Sequence, residues 1–297
     1  MKPSRSEFVA LNGLRHHLRI WGEADSPKLF LLHGWMDCSA SFQFLVDSLA
    51  SPWQVIAPDW RGFGKSDWLG RPYWFADYLA DLDALLDRLS PGEPARLAGH
   101  SMGGNIACLY AGVRPQRVGA LASLEGLGLL PVESDEAPDR YAKWLDQVRS
   151  PRAPRRYADA EALARRLRAD NPRLSAERAR FLAREFSVPA GEGQIIAAGD
   201  AWHRILHPVL YRLEEAKACW RRITAPVLWV RGRDSSFGKM FEGREEDVRS
   251  RLACFRDLRE AVLDDCGHMM QHDQPEALAR VLEGFFRTAP AAHEAEA

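Results

Sequence analysis

Short apolar runs alternate with longer segments that carry apolar residues at helical spacing. The runs predict buried strands of a parallel sheet and the periodic segments predict amphipathic helices. The predicted strands are 28–32, 54–58, 94–98, 118–124, 226–232 and 261–263. The predicted helices are 41–49, 78–89, 105–111, 245–255 and 276–286. This alternation predicts an α/β fold with a mainly parallel central sheet flanked by helices.

The chain begins with a different pattern. Residues 8–11 and 14–21 are strand-like and are separated by Asn12-Gly13. An Asn-Gly pair favours the tight turn of a β-hairpin, so we expect two antiparallel strands here.

The alternation stops between residues 126 and 224. This segment is rich in Arg, Ala, Leu and Glu, and its prolines divide predicted helices, of which 159–169, 175–186 and 208–220 are the clearest. Because the α/β pattern resumes afterwards, we interpret 126–224 as a helical insertion in a core formed by 1–125 and 225–289. The small, acidic tail 290–297 is expected to be disordered.

Composition limits the classes of partner. The chain has 297 residues, of which 46% are hydrophobic, and its formal net charge is -1. This balance provides no global field for nucleic acid or an anionic membrane, and it suits a small neutral substrate. No signal peptide or bilayer-spanning stretch is evident, and five scattered cysteines indicate free thiols. A cytoplasmic location is therefore expected, and the oligomeric state is left open.

The segment Gly99-His100-Ser101-Met102-Gly103 fits a G-x-S-x-G nucleophile elbow. In such an elbow, a serine occupies a strained turn between a strand and a helix, and the predicted elements on either side supply that context. Ser101 is therefore the candidate nucleophile.

A serine hydroxyl needs a base that removes its proton and an acid that orients the base. His268 follows the last predicted strand and is the best candidate base, ahead of His272. Asp234 follows the preceding strand and is the favoured acid, because the order Ser101, Asp234, His268 matches that of the elbow serine hydrolases. Glu125, at the end of the 118–124 strand, remains the rival acid.

Together these motifs resemble the α/β-hydrolase fold superfamily, specifically its serine-nucleophile members with a helical cap. The segment 59–66 is similar to the family's D-x-R-G-x-G-x-S loop, and His33-Gly34-Trp35 is similar to its oxyanion loop. The resemblance implies that the backbone amides of Trp35 and Met102 form an oxyanion hole. Dehalogenases and epoxide hydrolases of this fold carry Asp where this chain has Ser101.

The resemblance implies a serine esterase that cleaves a small, largely apolar acyl compound without a cofactor. Lactonase, thioesterase, amidase, perhydrolase and carbon-carbon hydrolase chemistry are compatible alternatives, and a non-catalytic small-ligand receptor is an alternative of another class. His203 and His207 have helical spacing but no third ligand, so no metal site is expected. Asp59 and Arg61 are expected to form a structural ion-pair network.

Overall fold

The computed structural model describes residues 1–288, and the predicted disordered tail 290–297 lies outside them. The strands are β1 Ser4–Leu11, β2 Leu14–Trp21, β3 Lys28–Leu32, β4 Gln54–Pro58, β5 Ala95–His100, β6 Val118–Leu124, β7 Arg156–Tyr157, β8 Ser187–Gly191, β9 Gln194–Ala197, β10 Val227–Gly232 and β11 Leu258–Leu263. The α-helices are α1 Gln43–Ser48, α2 Phe75–Leu89, α3 Met102–Val113, α4 Ala137–Arg149, α5 Ala160–Asp170, α6 Ala176–Glu185, α7 Leu213–Trp220, α8 Ser236–Met240, α9 Glu245–Leu252, α10 Met270–Asp273 and α11 Pro275–Thr288. Short 3₁₀ helices span Ser39–Phe42, Pro115–Arg117, Ser134–Glu136 and Ala201–Arg204.

The central sheet has eight strands in the order β1-β2-β4-β3-β5-β6-β10-β11. The pairs from β4 to β11 are parallel, whereas β1 and β2 pair antiparallel with each other and β2 pairs antiparallel with β4. The predicted hairpin is confirmed, and Asn12 and Gly13 both have positive φ, 48° and 78°, as a type I′ turn requires. The α/β class with a mainly parallel sheet is confirmed.

Both faces of the sheet are buried, which explains the continuous apolar runs. In β3, Leu29 and Leu31 enter one apolar cluster, whereas Phe30 and Leu32 enter another on the opposite face. Helices α1 and α11 cover the first face, and α2, α3 and α7 cover the second. Each fully buried side chain of this kind contributes about 1.5–3 kcal/mol to the free energy of folding, so the sheet forms a rigid base for the loops at its strand ends.

The segment 126–224 is less uniformly helical than expected. It contains α4 to α7, and the starts of α5 and α6 are fixed by the side chains of Asp159 and Ser175, which cap them. It also contains a three-stranded sheet in the order β7-β9-β8, which the sequence interpretation missed. The turn between β8 and β9 uses Glu192 and Gly193 at positive φ. In addition, α7 begins at Leu213 rather than at residue 208.

None of the helices within residues 1–288 combines the length and the apolar character needed to cross a bilayer.

Candidate active site

Ser101 lies in a sharp turn between β5 and α3. Its φ of 51° is in the left-handed region that residues with a side chain rarely adopt. Its N–H donates to the carbonyl of Leu124 over 2.8 Å, and its own carbonyl accepts from the N–H of Asn105 over 3.0 Å. The strand, turn and helix predicted around Ser101 are therefore confirmed.

Close backbone contacts explain the two glycines of the elbow. A Cβ on Gly103 would lie 2.1 Å from the carbonyl oxygen of Leu32, and a Cβ on Gly99 would lie 2.4 Å from the carbonyl oxygen of Gly103. Neither neighbour can move without disturbing the sheet or the helix, so only glycine fits at these positions.

Glu125 binds the imidazole of His268. The Glu125 carboxylate is buried at the end of β6, and its Oε1 accepts from the N–H of Gly232 over 2.9 Å. Its Oε2 accepts from the hydroxyl of Ser235 and from Nδ1 of His268, each over 2.6 Å. A neutral imidazole that donates from Nδ1 has its lone pair on Nε2, which is the state needed in a general base.

The prediction that Asp234 orients His268 is contradicted by the structure. The Asp234 carboxylate instead binds the guanidinium of Arg173 over 2.8 Å, and the two side chains are 44% and 42% exposed. β6 and β10 are adjacent parallel strands, so the loops that follow them both reach the His268 loop. The sequence pattern placed both carboxylates there, but only the buried Glu125 reaches the ring.

Two further histidines shape the backbone around the site. His100 contacts the carbonyl of His268 through Nε2 over 2.8 Å, so this nitrogen carries the proton. His33 contacts the carbonyl of Gly34 through Nδ1 over 2.8 Å, and its Nε2 accepts from the N–H of Trp60. Burial lowers the pKa of His33 to about 4 and that of His100 well below its usual value, so both rings are neutral. These two side chains therefore hold loops in place through hydrogen bonds.

Ser101 and His268 line one cavity of about 150 Å³, a volume that holds a molecule about the size of benzene. The wall combines loops of the core with helices of the 126–224 segment: Gly34, Trp35, Met36, Asp37, His100, Leu167, Leu182, Phe186, Met269 and His272. Within residues 1–288, no direct hydrogen bond joins Ser101 to His268.

The predicted oxyanion residues belong to two different segments, the loop after β3 and the elbow itself. Trp35 lines the cavity, and its indole N–H donates to the carbonyl of His203 in the 126–224 segment over 3.3 Å. Met102 is the first residue of α3, and its backbone N–H is one of those that a helix leaves without an internal acceptor.

Asp59 and Arg61 both form structural ion pairs, but they belong to two separate networks rather than to one. The Asp59 carboxylate accepts from Nδ1 of His17 and from backbone amides that include that of Lys65. Arg61 binds the buried Asp81 through two hydrogen bonds of 2.6 Å. Both networks brace the loop after β4 without contributing a side chain to the cavity wall.

His203 has a packing role in the structure. Its ring is stacked between Phe63 and Tyr73, with centroid distances of 3.8 and 3.7 Å. Within residues 1–288, no group of three or more His, Cys, Asp or Glu side chains is arranged to hold a metal ion.

Two residues of the site were missed in the sequence. Ser235 belongs to no motif in the sequence, yet its hydroxyl donates to the Glu125 carboxylate. Asp37 was not considered, although it lines the cavity and is only 6% exposed. The only signal for Asp37 was its position two residues after Trp35, in the loop that leaves β3.

Ser101 lies in an elbow after a central strand of the α/β sheet, and it shares a cavity with a histidine that is bound by a buried carboxylate. This combination defines a class of hydrolases. Comparison with known proteins agrees: the sequence profile of the alpha/beta hydrolase fold matches residues 27–275. The chain therefore belongs to the α/β-hydrolase family.

Individual relatives are distant. A serine hydrolase-like protein from Danio rerio is 27% identical over 301 residues, which cover 97% of this chain and 90% of the relative. A 2-(acetamidomethylene)succinate hydrolase from Mesorhizobium japonicum is 26% identical, with 90% and 91% covered. Among solved structures, a thioesterase domain from the curacin biosynthetic pathway is similar with a TM-score of 0.83 and 26% identity, covering 95% of this chain and 99% of that one. These relatives support assignment as a hydrolase.

Proposed function

We propose that this protein is a serine hydrolase that cleaves a small, largely apolar carboxylic ester through an acyl-Ser101 intermediate. The observation that carries the proposal is the 2.6 Å hydrogen bond between Oε2 of the buried Glu125 and Nδ1 of His268, at the cavity that Ser101 also lines. Such a bond fixes the tautomer of the base and stabilises the imidazolium that forms during the reaction.

The first half-reaction forms the acyl-enzyme. Nε2 of His268 takes the proton of Ser101 as Oγ attacks the carbonyl carbon of the ester, and the carbonyl oxygen becomes an oxyanion. The backbone amides of Trp35 and Met102 are proposed to donate to this oxyanion. Collapse of the tetrahedral intermediate breaks the bond to the alcohol oxygen, which leaves with the proton from His268. Hydrogen bonds of this kind are often formed fully only with substrate in place, which fits the absence of a direct Ser101–His268 bond in residues 1–288.

The second half-reaction releases the acid. Water gives a proton to Nε2 of His268 and attacks the acyl carbon, and the bond to Ser101 breaks as the proton returns to Oγ. Apolar side chains of the 126–224 segment, among them Leu167, Leu182 and Phe186, line the cavity. We infer that this segment acts as a cap that limits the size of the acyl group and excludes bulk water.

Hydrolysis of p-nitrophenyl butyrate tests the proposal. Ser101→Ala should lower kcat by roughly a thousandfold or more, because the nucleophile is removed. Ser134→Ala is the matched control, since Ser134 is exposed and lies outside the cavity wall, and it should retain wild-type activity. Unchanged hydrolysis by a folded Ser101→Ala variant would refute the acyl-serine route.

A thioester is a second candidate substrate, favoured by the similarity to the thioesterase domain. An ester and a thioester of the same acid give the same acyl-Ser101 and differ only in the leaving group. The rates of hydrolysis of p-nitrophenyl butyrate and of butyryl-coenzyme A decide between them. Release of p-nitrophenol measures the first rate, and release of free thiol measures the second. A folded wild-type protein that cleaves neither would favour the receptor alternative.

A further inference from the structure

A carboxylate at the end of α10 holds the backbone next to the base. Oδ2 of Asp273 accepts from the backbone N–H of Gly267 over 2.8 Å. The backbone N–H of Asp273 donates to the carbonyl of Met269 over 3.0 Å. Because Gly267 and Met269 flank His268 in the chain, Asp273 fixes the loop between β11 and α10 on both sides of the imidazole.

The second oxygen of the same carboxylate binds the 126–224 segment. Oδ1 of Asp273 accepts from the side-chain amide of Asn171 over 2.7 Å. The oxygen of that amide accepts from the backbone N–H of Arg173 over 3.2 Å. The two contacts need opposite ends of the amide, so together they direct its nitrogen at Asp273.

Asn171 is also joined to the wall of the cavity. It follows the last residue of α5, and its backbone N–H donates to the carbonyl of Leu167 over 2.9 Å. Leu167 of α5 and Leu182 of α6 both line the cavity. A buried apolar cluster packs these two helices together. Continuous contacts therefore lead from the cavity wall through Asn171 and Asp273 to the loop that carries the base.

Two other contacts from the same segment are placed differently. The Arg173 side chain binds Asp234 in the loop after β10, and this pair is half exposed. Arg178 donates to the carbonyl of His272 over 2.8 Å, four residues beyond the base. Asn171 differs from both arginines because its partner also binds the backbone directly before the base.

We propose that Asn171 and Asp273 are positioning residues that couple the 126–224 segment to the catalytic base. An acyl group that fills the cavity contacts α5 and α6 and stabilises their position. The hydrogen bonds of Asn171 and Asp273 then hold His268 in the arrangement that removes the proton of the nucleophile. Binding of the acyl group thereby orients the base, which raises kcat rather than only lowering KM. The inference rests on the proposed esterase function and adds a way in which the enzyme responds to acyl size.

Single substitutions in the pair test the coupling. In Asp273→Asn, the amide oxygen still accepts from Gly267, but the amide nitrogen faces the nitrogen of Asn171, so one contact is lost. Asn171→Asp places two carboxylates against each other. We expect kcat for p-nitrophenyl butyrate to fall roughly tenfold in each variant, because the base is displaced. KM should stay within about threefold of wild type.

The double variant Asn171→Asp/Asp273→Asn restores the hydrogen bond with reversed polarity. The new amide donates to the new carboxylate, and the acceptors for Gly267 and Arg173 are kept. Its kcat should therefore lie within about threefold of wild type, whereas two independent effects would multiply to a loss of about a hundredfold.

Acyl size gives a readout that a purely structural role would not change. In wild type, kcat for p-nitrophenyl butyrate should exceed kcat for p-nitrophenyl acetate by roughly tenfold, since an acetyl group leaves the space beside α5 and α6 unfilled. Asn171→Ala removes the contact with the segment while Asp273 still binds Gly267, so this ratio should fall to about three or less. Arg173→Ala, in the same loop, is the matched control and should keep the wild-type ratio.

Fluorophosphonate labelling of Ser101, which needs no ester, keeps the outcomes distinct. The labelling rate should fall in Asp273→Asn and recover in the double variant. A lower Tm with an unchanged labelling rate would show a structural role only and overturn the inference. Multiplied losses in the double variant, no wild-type preference for butyrate, or a preference that Asn171→Ala retains would also overturn it, while the proposed function stands.

Failure of the proposed function has a different signature. If wild type cleaves neither ester, the proposed function fails and the labelling rates alone decide the inference. Equal labelling rates in wild type and Asp273→Asn, or no labelling of Ser101 in any variant, would then overturn it.

Discussion

The ends of β6 and β10 offer two carboxylates to the same histidine, and only one of them binds it. Glu125, after β6, is buried and holds His268, Ser235 and the Gly232 amide. Asp234, after β10, is half exposed and binds Arg173 of the 126–224 segment. Adjacent parallel strands therefore bring two carboxylates into neighbouring loops, and burial with complete hydrogen bonding distinguishes the carboxylate that orients His268.

The largest expected effect comes from Glu125→Gln. An amide at this position can accept from Nδ1–H of His268 only in one orientation, and it no longer stabilises the imidazolium. Loss of the corresponding carboxylate in serine proteases lowers kcat by about 10⁴, and we expect a fall of roughly 10³–10⁴ here. Steady-state hydrolysis of p-nitrophenyl butyrate measures it.

Glu125→Asp is the informative control for that variant. It keeps the charge but shortens the side chain, so its kcat should lie between those of wild type and Glu125→Gln. Full activity in a folded Glu125→Gln protein would show that the carboxylate after β6 has no catalytic part.

The second expected effect is that of Gly232→Ala, at the end of β10 where the chain packs against the loop that carries His268. A Cβ on Gly232 would lie 2.4 Å from the carbonyl oxygen of Cys266 and 2.5 Å from that of Gly267, in the loop that carries His268. Gly232→Ala should therefore lower the free energy of unfolding by about 2–4 kcal/mol. Urea denaturation measures this change.

Gly238→Ala is the matched control, because a Cβ there meets nothing within 4 Å and the residue lies in α8. It should be neutral or stabilise the protein by up to about 1 kcal/mol. Equal stability changes in the two variants would contradict the packing described at the end of β10.

Ser235→Ala should have an intermediate effect. The Ser235 hydroxyl donates to Oε2 of Glu125 over 2.6 Å, and its oxygen also accepts from the N–H of Phe237 at the start of α8. Loss of both contacts should cost about 1–2 kcal/mol in the free energy of unfolding. A fall in kcat of about tenfold should accompany it, because the carboxylate loses one of the groups that orient it. A loss of stability with unchanged kcat would show that the Ser235 hydroxyl caps α8 but does not orient Glu125.

The smallest expected effect is that of Asp234→Asn, at the position directly before Ser235. Its ion pair with Arg173 is exposed, and such pairs contribute about 0–1 kcal/mol. Activity should stay within about threefold of wild type and stability within about 1 kcal/mol. Arg173→Ala should behave in the same way, and a large loss of kcat in Asp234→Asn alone would reverse the comparison.

The core of the fold could be predicted from the sequence because its strands are buried on both faces. β3, β4 and β6 have the predicted bounds 28–32, 54–58 and 118–124. The 126–224 segment was predicted less well, since its small sheet has short strands with little apolar alternation. α4 was missed among the clearest helices although it carries Tyr141, Leu145 and Val148 at helical spacing, and none of its residues is fully buried.

The site was predictable where local backbone chemistry identifies a residue. Ser101 is marked by glycines that the turn requires, and His268 by its place after the last strand. The choice between Glu125 and Asp234 depends on which carboxylate is buried against the ring, and the donors to Glu125 lie 107 or more positions away in the chain.

The rate of covalent labelling of Ser101 by a fluorophosphonate probe tests the central claim most directly, since it reports nucleophile activation without depending on substrate choice. Mass spectrometry of the labelled peptide identifies the site, and the time course gives the rate in wild type, Glu125→Gln and Asp234→Asn. We predict labelling at Ser101 at similar rates in wild type and Asp234→Asn, and at least about a hundredfold slower in Glu125→Gln. Labelling that is as fast in Glu125→Gln as in wild type, or slow only in Asp234→Asn, would contradict the account.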